Sequence, residues 1–288
     1  MKQEELKNFI TSLIPVILKA GEVALSSQGK VKNIGKEIEH LQADSPYVLE
    51  KRQAKTFVDE QVQEILLQAL PKIIDVNEVK LDTEETTPST KLFTSSDAKL
   101  TLVLDPIDGT LEYLRGEDDY SICVGLLSSG EIITALVYYP VRKILYFIDY
   151  DGKPYKTTYN HNLEKISEEP FTFPTSINKK IIYRNNRVSS DISTCLAGSN
   201  FQVIDEDNGK ITWPEGLLKC MSGEYYVCLF HTPQIRDVLL GAIIEKMGGY
   251  ALDWNGNKLI WPDGGRTPRV IFGFGQPSKE LLTCVQEE

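Results

Sequence analysis

The sequence predicts an α+β fold, because helical periodicity near the start gives way to consecutive strands in the middle and to mixed elements afterwards. Apolar residues recur at helical spacing over residues 3–27 and again from Thr56 to about Leu70. Short apolar runs separated by tight turns then predict three antiparallel strands, at residues 120–127, 132–139 and 144–148.

Prolines and glycines set the expected limits of these elements. Pro15 lies inside the first helical pattern, which predicts a kink or a later helix start, and Pro71 is expected to end the second helix. Residues 29–54 are polar and predict an exposed loop or a short ribbon. Another apolar run, at residues 100–104, precedes the three strands.

The second half of the chain predicts mixed elements. A polar, turn-rich stretch at residues 149–174 is expected to separate an amino-terminal part, 1–155, from a carboxy-terminal part, 156–288. The elements expected in the second part are a strand at 180–184, a helix at 237–247 that ends at Gly248-Gly249, and a last helix from Ser278.

Charge restricts the classes of partner. The chain of 288 residues has a net charge of -10 and no basic tract. A nucleic-acid polymer is therefore not an expected partner, because binding one requires positive charge along the phosphate backbone. An acidic protein still binds an anionic small molecule where bound cations reverse the local field.

Cysteine and histidine spacing gives no sign of a zinc or disulfide framework. The five cysteines are odd in number and lack C-x-x-C spacing, and Cys123 and Cys228 lie in apolar runs that predict packed thiols. His40, His161 and His231 lie in different segments, so a histidine-based site is not expected. The acidic start is unlike a signal peptide, and no apolar run approaches the roughly 20 residues of a membrane span. A cytoplasmic protein without membrane contact is predicted.

The segment at residues 102–110, LVLDPIDGT, is the most informative for function. An apolar run ends in Asp105, a proline interrupts the strand, and Asp108 follows three residues later. Both carboxylates and the Ile107 carbonyl can then face one point. Oxygen ligands of this kind suit Mg²⁺, which binds them at about 2.0–2.1 Å.

Gly109 and Thr110 complete this segment. Glycine lets the backbone approach a ligand closely, and amides at the start of a following helix favour an anion such as phosphate. Thr110 would place a hydroxyl beside a metal-bound water. The alternative is an acidic turn whose aspartates merely cap the next element, since D-x-x-D alone is a weak signal.

The string D-P-I-D-G-T resembles the first signature of the inositol monophosphatase superfamily, a lithium-sensitive, magnesium-dependent group that includes 3′(2′),5′-bisphosphate nucleotidases. Three further matches occur in the expected order. Residues 56–59, TFVD, resemble a helix start that supplies an aspartate, and residues 82–85, DTEE, resemble the acidic pair before the signature. Residues 236–249 resemble the second signature, so the resemblance covers about residues 50 to 255.

The resemblance implies that two or three Mg²⁺ ions are ligated by Glu84, Asp105, the Ile107 carbonyl, Asp108 and Asp237. It implies that Asp59 and Thr110 act together on the attacking water, with Glu84 also catalytic, and that Gly109 and Thr110 contact substrate. Physical chemistry agrees, because converging carboxylates repel each other unless cations occupy the pocket. Mg²⁺ lowers the pKa of a bound water and clamps phosphoryl oxygens.

The second signature departs from the family pattern. Arg236 stands where the family usually has tryptophan, and this arginine either touches a substrate phosphate or, as favoured here, pairs with an acid. Residues 238–240 replace the usual small pair after the aspartate.

Neighbouring residues favour a bisphosphate nucleotidase. Residues 111–113, LEY, are closer to the K-E-F of nucleotidases than to the T-N-F of inositol enzymes, and Val227 stands where inositol enzymes often have glutamate. Lys219 matches a nucleotidase lysine and would bind a phosphate; the alternative is a solvated surface lysine. Glu112 is expected to be a surface acid.

The resemblance also implies a layered α-β-α-β-α sandwich and a small soluble phosphate as substrate. The working hypothesis is hydrolysis of the 3′-phosphate of adenosine 3′,5′-bisphosphate, with inositol monophosphate as the alternative. The altered second signature leaves a catalytically silent binding or regulatory protein as a rival of another class. Family members are often homodimers, so a homodimer stays open.

Overall fold

Helices and two sheets form a layered structure. The computed structural model describes residues 1–35, 50, 54–185, 187–205 and 211–286. Within them, a helix pair covers a seven-stranded sheet, further helices lie between this sheet and a five-stranded one, and outer helices close the far side. The predicted α+β class and layer order are confirmed. Most of the predicted loop at residues 29–54, and His40, lie outside the described residues.

The amino-terminal helix pair consists of α1 (Gln3–Ser27) and α2 (Phe57–Ala69). Of the two alternatives predicted at Pro15, the later start of α1 is wrong, since the helix begins at Gln3 and runs through Pro15, with Leu13 and Ile17 buried on either side. α2 begins after Thr56 as predicted, and Pro71 lies in the 3₁₀ turn Leu70–Lys72 that follows it. The two helices pack against each other, and each contacts the large sheet.

Of the helices in the described residues, α1 alone has the length and hydropathy of a membrane span. Its most apolar window is 44% buried inside the protein. A core helix of a globular protein passes the same test of length and composition, and α1 packs its apolar face on α2 and on the large sheet. The test therefore gives weak evidence for membrane insertion.

The seven-stranded sheet follows the order of the sequence. Its first two strands pair in parallel and all later neighbours are antiparallel. The three predicted strands are confirmed, and the strands are β1 (Val79–Thr83), β2 (Leu100–Asp108), β3 (Ser121–Ser128), β4 (Glu131–Tyr139), β5 (Ile144–Ile148), β6 (Pro154–Tyr159) and β7 (Lys165–Pro170).

The stretch at residues 149–174, predicted as polar and turn-rich, contains two strands, β6 and β7. β7 is exposed along its whole length, so its polar sequence lacks the apolar alternation of a half-buried strand. The predicted boundary after residue 155 falls within β6, and the division into two parts stays a prediction.

The strands of the five-stranded sheet lie in the order Tyr250–Asp253, Val270–Gly273, Val227–Phe230, Ile181–Arg184 and Gln202–Asp205, which requires crossovers between the parallel strands. The strand predicted at residues 180–184 is confirmed as β8. The strands are β8 (Ile181–Arg184), β9 (Gln202–Asp205), β10 (Val227–Phe230), β11 (Tyr250–Asp253) and β12 (Val270–Gly273).

Five helices complete the described structure, and their bounds are α3 (Thr110–Leu114), α4 (Ser190–Gly198), α5 (Trp213–Met221), α6 (Leu239–Lys246) and α7 (Lys279–Gln286). The helix predicted at 237–247 begins later, because the 3₁₀ turn Ile235–Val238 precedes α6. Gly248, at φ +91°, follows α6 as predicted, and the last helix begins at Lys279.

A disulfide contradicts the prediction from cysteine spacing. Cys195 of α4 and Cys284 of α7 are bonded across 89 residues of sequence, because the two outer helices pack side by side. Spacing rules detect local frameworks and do not register a pairing at this distance. Cys123 and Cys228 are buried free thiols, as predicted.

Asp119 links the large sheet to α5. Its carboxylate accepts hydrogen bonds from Arg142 Nη2 at 2.6 Å and from the hydroxyl of Thr212, the N-cap of α5, at 3.0 Å. Burial and the neighbouring Glu215 carboxylate raise the pKa of Asp119 to about 7, although Arg142 opposes the shift. The folded protein therefore holds a proton at this junction near neutral pH.

We expect Asp119→Asn to make stability less dependent on pH between about pH 4 and about pH 7. In that window the folded state keeps a proton on Asp119 that the unfolded chain, with an ordinary pKa of 3.8, has released. The free energy of unfolding therefore falls as pH rises through the window, and the substitution removes this contribution. Urea midpoints of metal-free protein across the window measure the slope.

The exposed neighbour Asp118 provides the control. It lies 3.7 Å from the same arginine and is 62% exposed. Asp118→Asn should keep the wild-type slope. If Asp119→Asn also keeps that slope, the proton is not held by Asp119.

Candidate functional site

A bulge at the end of β2 presents the two signature aspartates. β2 pairs regularly with β3 up to Asp105, and its register then shifts before Asp108 pairs opposite Ser121. Pro106 has no N–H for the ladder, which explains the interruption predicted from the sequence. The Ile107 N–H turns inward and donates to Asp105 Oδ1 at 3.0 Å. The local geometry thus follows from the D-P-I-D string itself.

Glu84 and Asp237 reach Asp105 from other elements. β1 is parallel to β2 with Thr83 opposite Leu104, so the residues that follow, Glu84 and Asp105, lie at the same edge of the sheet. Asp237 lies on the 3₁₀ turn Ile235–Val238, which packs against β2 and β3. The sheet edge therefore collects acids from three separate stretches of sequence.

Electrostatics indicate that these carboxylates lie near one another. Burial, followed by the charges of Glu84, Asp108 and Asp237, raises the pKa of Asp105 well above its ordinary value, and Arg236 opposes the shift. Asp105 is only 3% exposed. A buried carboxylate beside other carboxylates favours either a proton or a cation.

The donor set fits a hard divalent ion such as Mg²⁺, because carboxylate and carbonyl oxygens are its preferred ligands. The described side chains do not surround one point. In the described part of the chain, no three His, Cys, Asp or Glu side chains form a group able to hold a metal as they stand. Carboxylates that repel each other are expected to close on an ion only when it binds.

Thr110 lies between two oxygen acceptors. Its hydroxyl is 3.2 Å from Asp59 Oδ1 and 3.0 Å from the Ile107 carbonyl. Asp59 comes from α2, where its other oxygen accepts bonds from the Thr56 backbone and hydroxyl. The structure thus brings together the predicted pair, Asp59 and Thr110, which are 51 residues apart in the sequence.

The pKa of Asp59 suits a proton acceptor near neutral pH. Burial raises it to about 6, with Glu84 and Glu85 adding to the shift and the bonds from Thr56 opposing it. A base whose pKa lies close to the working pH combines an available charge with useful basicity.

Gly109 is required by the backbone. It adopts φ +92°, and a Cβ at this position would lie 2.7 Å from the Asp119 carbonyl oxygen. Its predicted contact with substrate stays a prediction.

Arg236 lies among the acids, as the favoured interpretation predicts. Its Nη1 is 3.4 Å from Asp82 Oδ1, and its Nε is 4.0 Å from Asp237 Oδ1. Burial alone would lower the pKa of Arg236, but the surrounding carboxylates raise it, led by Asp237 and Asp105. The guanidinium is therefore a permanent positive charge within the site.

Two predictions about neighbouring residues have different outcomes. Lys219 pairs with Glu224 at 3.2 Å and Glu215 at 3.7 Å on the surface of α5, and its role in phosphate binding stays a prediction.

The prediction that Glu112 is a surface acid is wrong, because it is only 2% exposed. α3 is a single short helix packed inward, and a helix of this length leaves little periodicity to show which face is buried.

Gln63 is a positioning residue that the sequence interpretation missed. From α2 it donates to the Glu85 carbonyl at 2.6 Å, accepts from the Glu85 N–H at 3.0 Å and contacts the Thr83 hydroxyl. It therefore holds both sides of Glu84 in place. The signal was its position four residues after Asp59, which places a second polar side chain on the buried face of the helix.

The model of the inositol monophosphatase family matches residues 5–285. This chain belongs to the inositol monophosphatase family. The family assignment covers nearly the whole chain, and the acids gathered at the end of β2 lie within it.

Individual members of the family are only distantly similar to this chain. A putative Nus factor SuhB from Neisseria meningitidis is 26% identical over 174 residues, which are 54% of this chain and 58% of that protein. The 3′(2′),5′-bisphosphate nucleotidase CysQ of Salmonella typhimurium is 32% identical over 54 residues, 19% of this chain and 22% of that protein. The matched region therefore spans less than two thirds of these curated relatives.

Structures of the family share the fold. An IMPase/NADP phosphatase solved with Mg²⁺ and phosphate superposes with a TM-score of 0.70 at 16% identity, over 98% of this chain and 95% of that one. Identity this low shows a common fold and does not transfer a substrate.

Proposed function

We propose that this protein is a Mg²⁺-dependent phosphomonoesterase acting on a small soluble phosphate. The observation that carries the proposal is that the ends of β1 and β2 and the 3₁₀ turn Ile235–Val238 bring Glu84, Asp108 and Asp237 near buried Asp105. These side chains and the Ile107 carbonyl would hold the metal, with two or three ions expected. When bound, Mg²⁺ supplies charge neutralisation and Lewis acidity at the phosphoryl group.

Asp59 and Thr110 supply the proton transfer in this proposal. The Thr110 hydroxyl has one proton and two acceptors, Asp59 Oδ1 and the Ile107 carbonyl. When it donates to Asp59, its lone pairs are free to accept the proton of an attacking water. Asp59 then receives the Thr110 proton, which neutralises the Asp59 carboxylate.

Within this class, we propose adenosine 3′,5′-bisphosphate as the substrate, hydrolysed at its 3′-phosphate. The CysQ match supports this choice. Inositol 1-phosphate is the alternative, and the NADP named with the neighbouring structure adds a third candidate. The proposal places the enzyme in the cytoplasm.

A substrate panel tests the proposal. We expect Mg²⁺-dependent phosphate release from adenosine 3′,5′-bisphosphate, abolished by EDTA and inhibited by Li⁺. Its kcat/KM should exceed that for inositol 1-phosphate by at least about tenfold, as one additional charge-assisted contact to the second phosphate would give. The Asp108→Asn protein, purified in the same way, controls for contaminating phosphatases.

The panel also distinguishes the rival functions. A preference for inositol 1-phosphate or NADP would keep the phosphomonoesterase and reject the proposed substrate. An absence of turnover on every phosphomonoester, with Mg²⁺ present, would favour a silent binding or regulatory protein.

A further inference from the structure

The guanidinium of Arg236 is buried at the edge of the acidic cluster. Its side chain is 14% exposed, and its Nε has no hydrogen-bond partner among the described residues. That Nε lies 4.0 Å from Asp237 Oδ1, near enough for electrostatic attraction but too far for a hydrogen bond. A small movement would let Arg236 donate to the carboxylate that a metal ion needs.

Asp82 holds the other side of the Arg236 guanidinium. Its Oδ1 lies 3.4 Å from Arg236 Nη1, and its Oδ2 accepts the Gly265 N–H at 2.5 Å. Lys80 Nζ donates to the Asp263 carbonyl at 2.8 Å and so holds the loop that contains Asp263 and Gly265 against β1. The positive charge is therefore held by Asp82, which is itself bonded to the loop that contains Gly265.

The balance between the carboxylate charges and the Arg236 charge indicates how Arg236 affects metal binding. The four proposed acidic ligands bring four negative charges, which two Mg²⁺ ions would balance. Arg236 contributes a fixed positive charge before any ion arrives. In a partly buried site, repulsion between charges a few ångströms apart is strong enough to change metal affinity by about tenfold or more.

We propose that Arg236 is a built-in counter-cation of this site, which weakens the binding of the divalent ion beside Asp237 and so sets the Mg²⁺ concentration that the site requires. The inference rests on the proposed metal ligands and is independent of the substrate.

Isothermal titration of metal-free protein with Mg²⁺ tests the proposal. Arg236→Gln should bind Mg²⁺ at least about tenfold more tightly, or bind one additional ion per chain, because the competing charge is gone. Without metal, Arg236→Gln should melt at a lower temperature than the wild type, since the carboxylates lose their partner. On addition of Mg²⁺, the melting temperature of Arg236→Gln should rise by more than that of the wild type. Arg236→Lys keeps the charge and should bind Mg²⁺ within about threefold of the wild type.

Arg184 provides a matched control outside the site. It is also 14% exposed, and it pairs with Asp205 at 3.3 Å. Arg184→Gln should lower the melting temperature without changing Mg²⁺ affinity. The comparison separates the loss of any buried ion pair from the loss of this particular charge.

Unchanged or weaker Mg²⁺ binding by Arg236→Gln would overturn the proposal. So would a selective loss of affinity for inorganic phosphate, which would make Arg236 a substrate contact. If Arg236→Gln does not fold, Arg236→Trp fills the space with the neutral ring that the family usually has there and is subject to the same criteria. Mg²⁺ binding by neither the wild type nor the neutral variants would reject the metal site itself, together with this inference.

Discussion

Asp108→Asn is expected to lower kcat/KM for the proposed substrate by on the order of 10³-fold or more. The substitution keeps the shape of the side chain but replaces a charged metal ligand with a neutral amide. Metal-assisted stabilisation of a phosphoryl transition state is worth several kcal/mol, and each ~1.4 kcal/mol is tenfold in rate. Steady-state kinetics at saturating Mg²⁺ measure the loss, and isothermal titration should show weaker Mg²⁺ binding.

Asp97→Asn is the control for Asp108→Asn, because it makes the same chemical change at an exposed loop position. It should leave both kinetics and metal binding unchanged. Circular dichroism of both variants establishes that the fold is retained. A loss below about threefold in Asp108→Asn would count heavily against the proposed site, because it is far smaller than the loss of a metal ligand should cause.

Asp59→Asn is expected to lower kcat by about 10²- to 10⁴-fold, the range that general-base catalysis contributes. The carbonyl of the introduced amide can still accept the two bonds from Thr56, so the amide nitrogen turns towards Thr110. The amide then donates to the Thr110 hydroxyl instead of accepting its proton, and the proton relay is blocked while the packing is kept. Single-turnover kinetics at saturating Mg²⁺ isolate the chemical step.

Two further variants separate the proton relay from helix capping. Thr56→Ala removes the N-cap of α2 and should cost about 1 kcal/mol of stability. Because the Thr56 hydroxyl also lowers the pKa of Asp59, its removal should reduce kcat near neutral pH and restore it as pH rises, unlike Asp59→Asn. Thr110→Val should lose as much activity as Asp59→Asn, and the double variant should lose little more, because the two residues act as a unit. Additive losses in the double variant would mean that Asp59 and Thr110 act separately.

Local sequence rules predicted the features that depend on neighbouring residues. The antiparallel run from β3 to β5 follows from short apolar runs separated by tight turns, and α2 begins after Thr56, where the helical spacing starts. The bulge at Asp105 and Asp108 follows from Pro106, which cannot donate to the ladder. Each of these features is determined by residues that lie close together in the sequence.

The errors concern features that depend on distant residues. β7 is polar and exposed, and only its pairing with β6 identifies it as a strand. Glu112 is buried because α3 packs inward. The disulfide depends on how α4 and α7 lie against each other, which no cysteine spacing records.

By itself, the sequence determined that this protein carries two aspartates on an interrupted strand, a capped helix bearing Asp59, and family signatures in the expected order. Only the tertiary structure decided that Glu84 and Asp237 lie near Asp105, that Gln63 holds the Glu84 segment, and that Arg236 lies at the edge of the cluster. The physical reason is the distance over which the interactions act. Backbone preferences and hydrogen-bonded turns act over a few residues, whereas the electrostatic field of a buried site sums charges from all the elements that surround it.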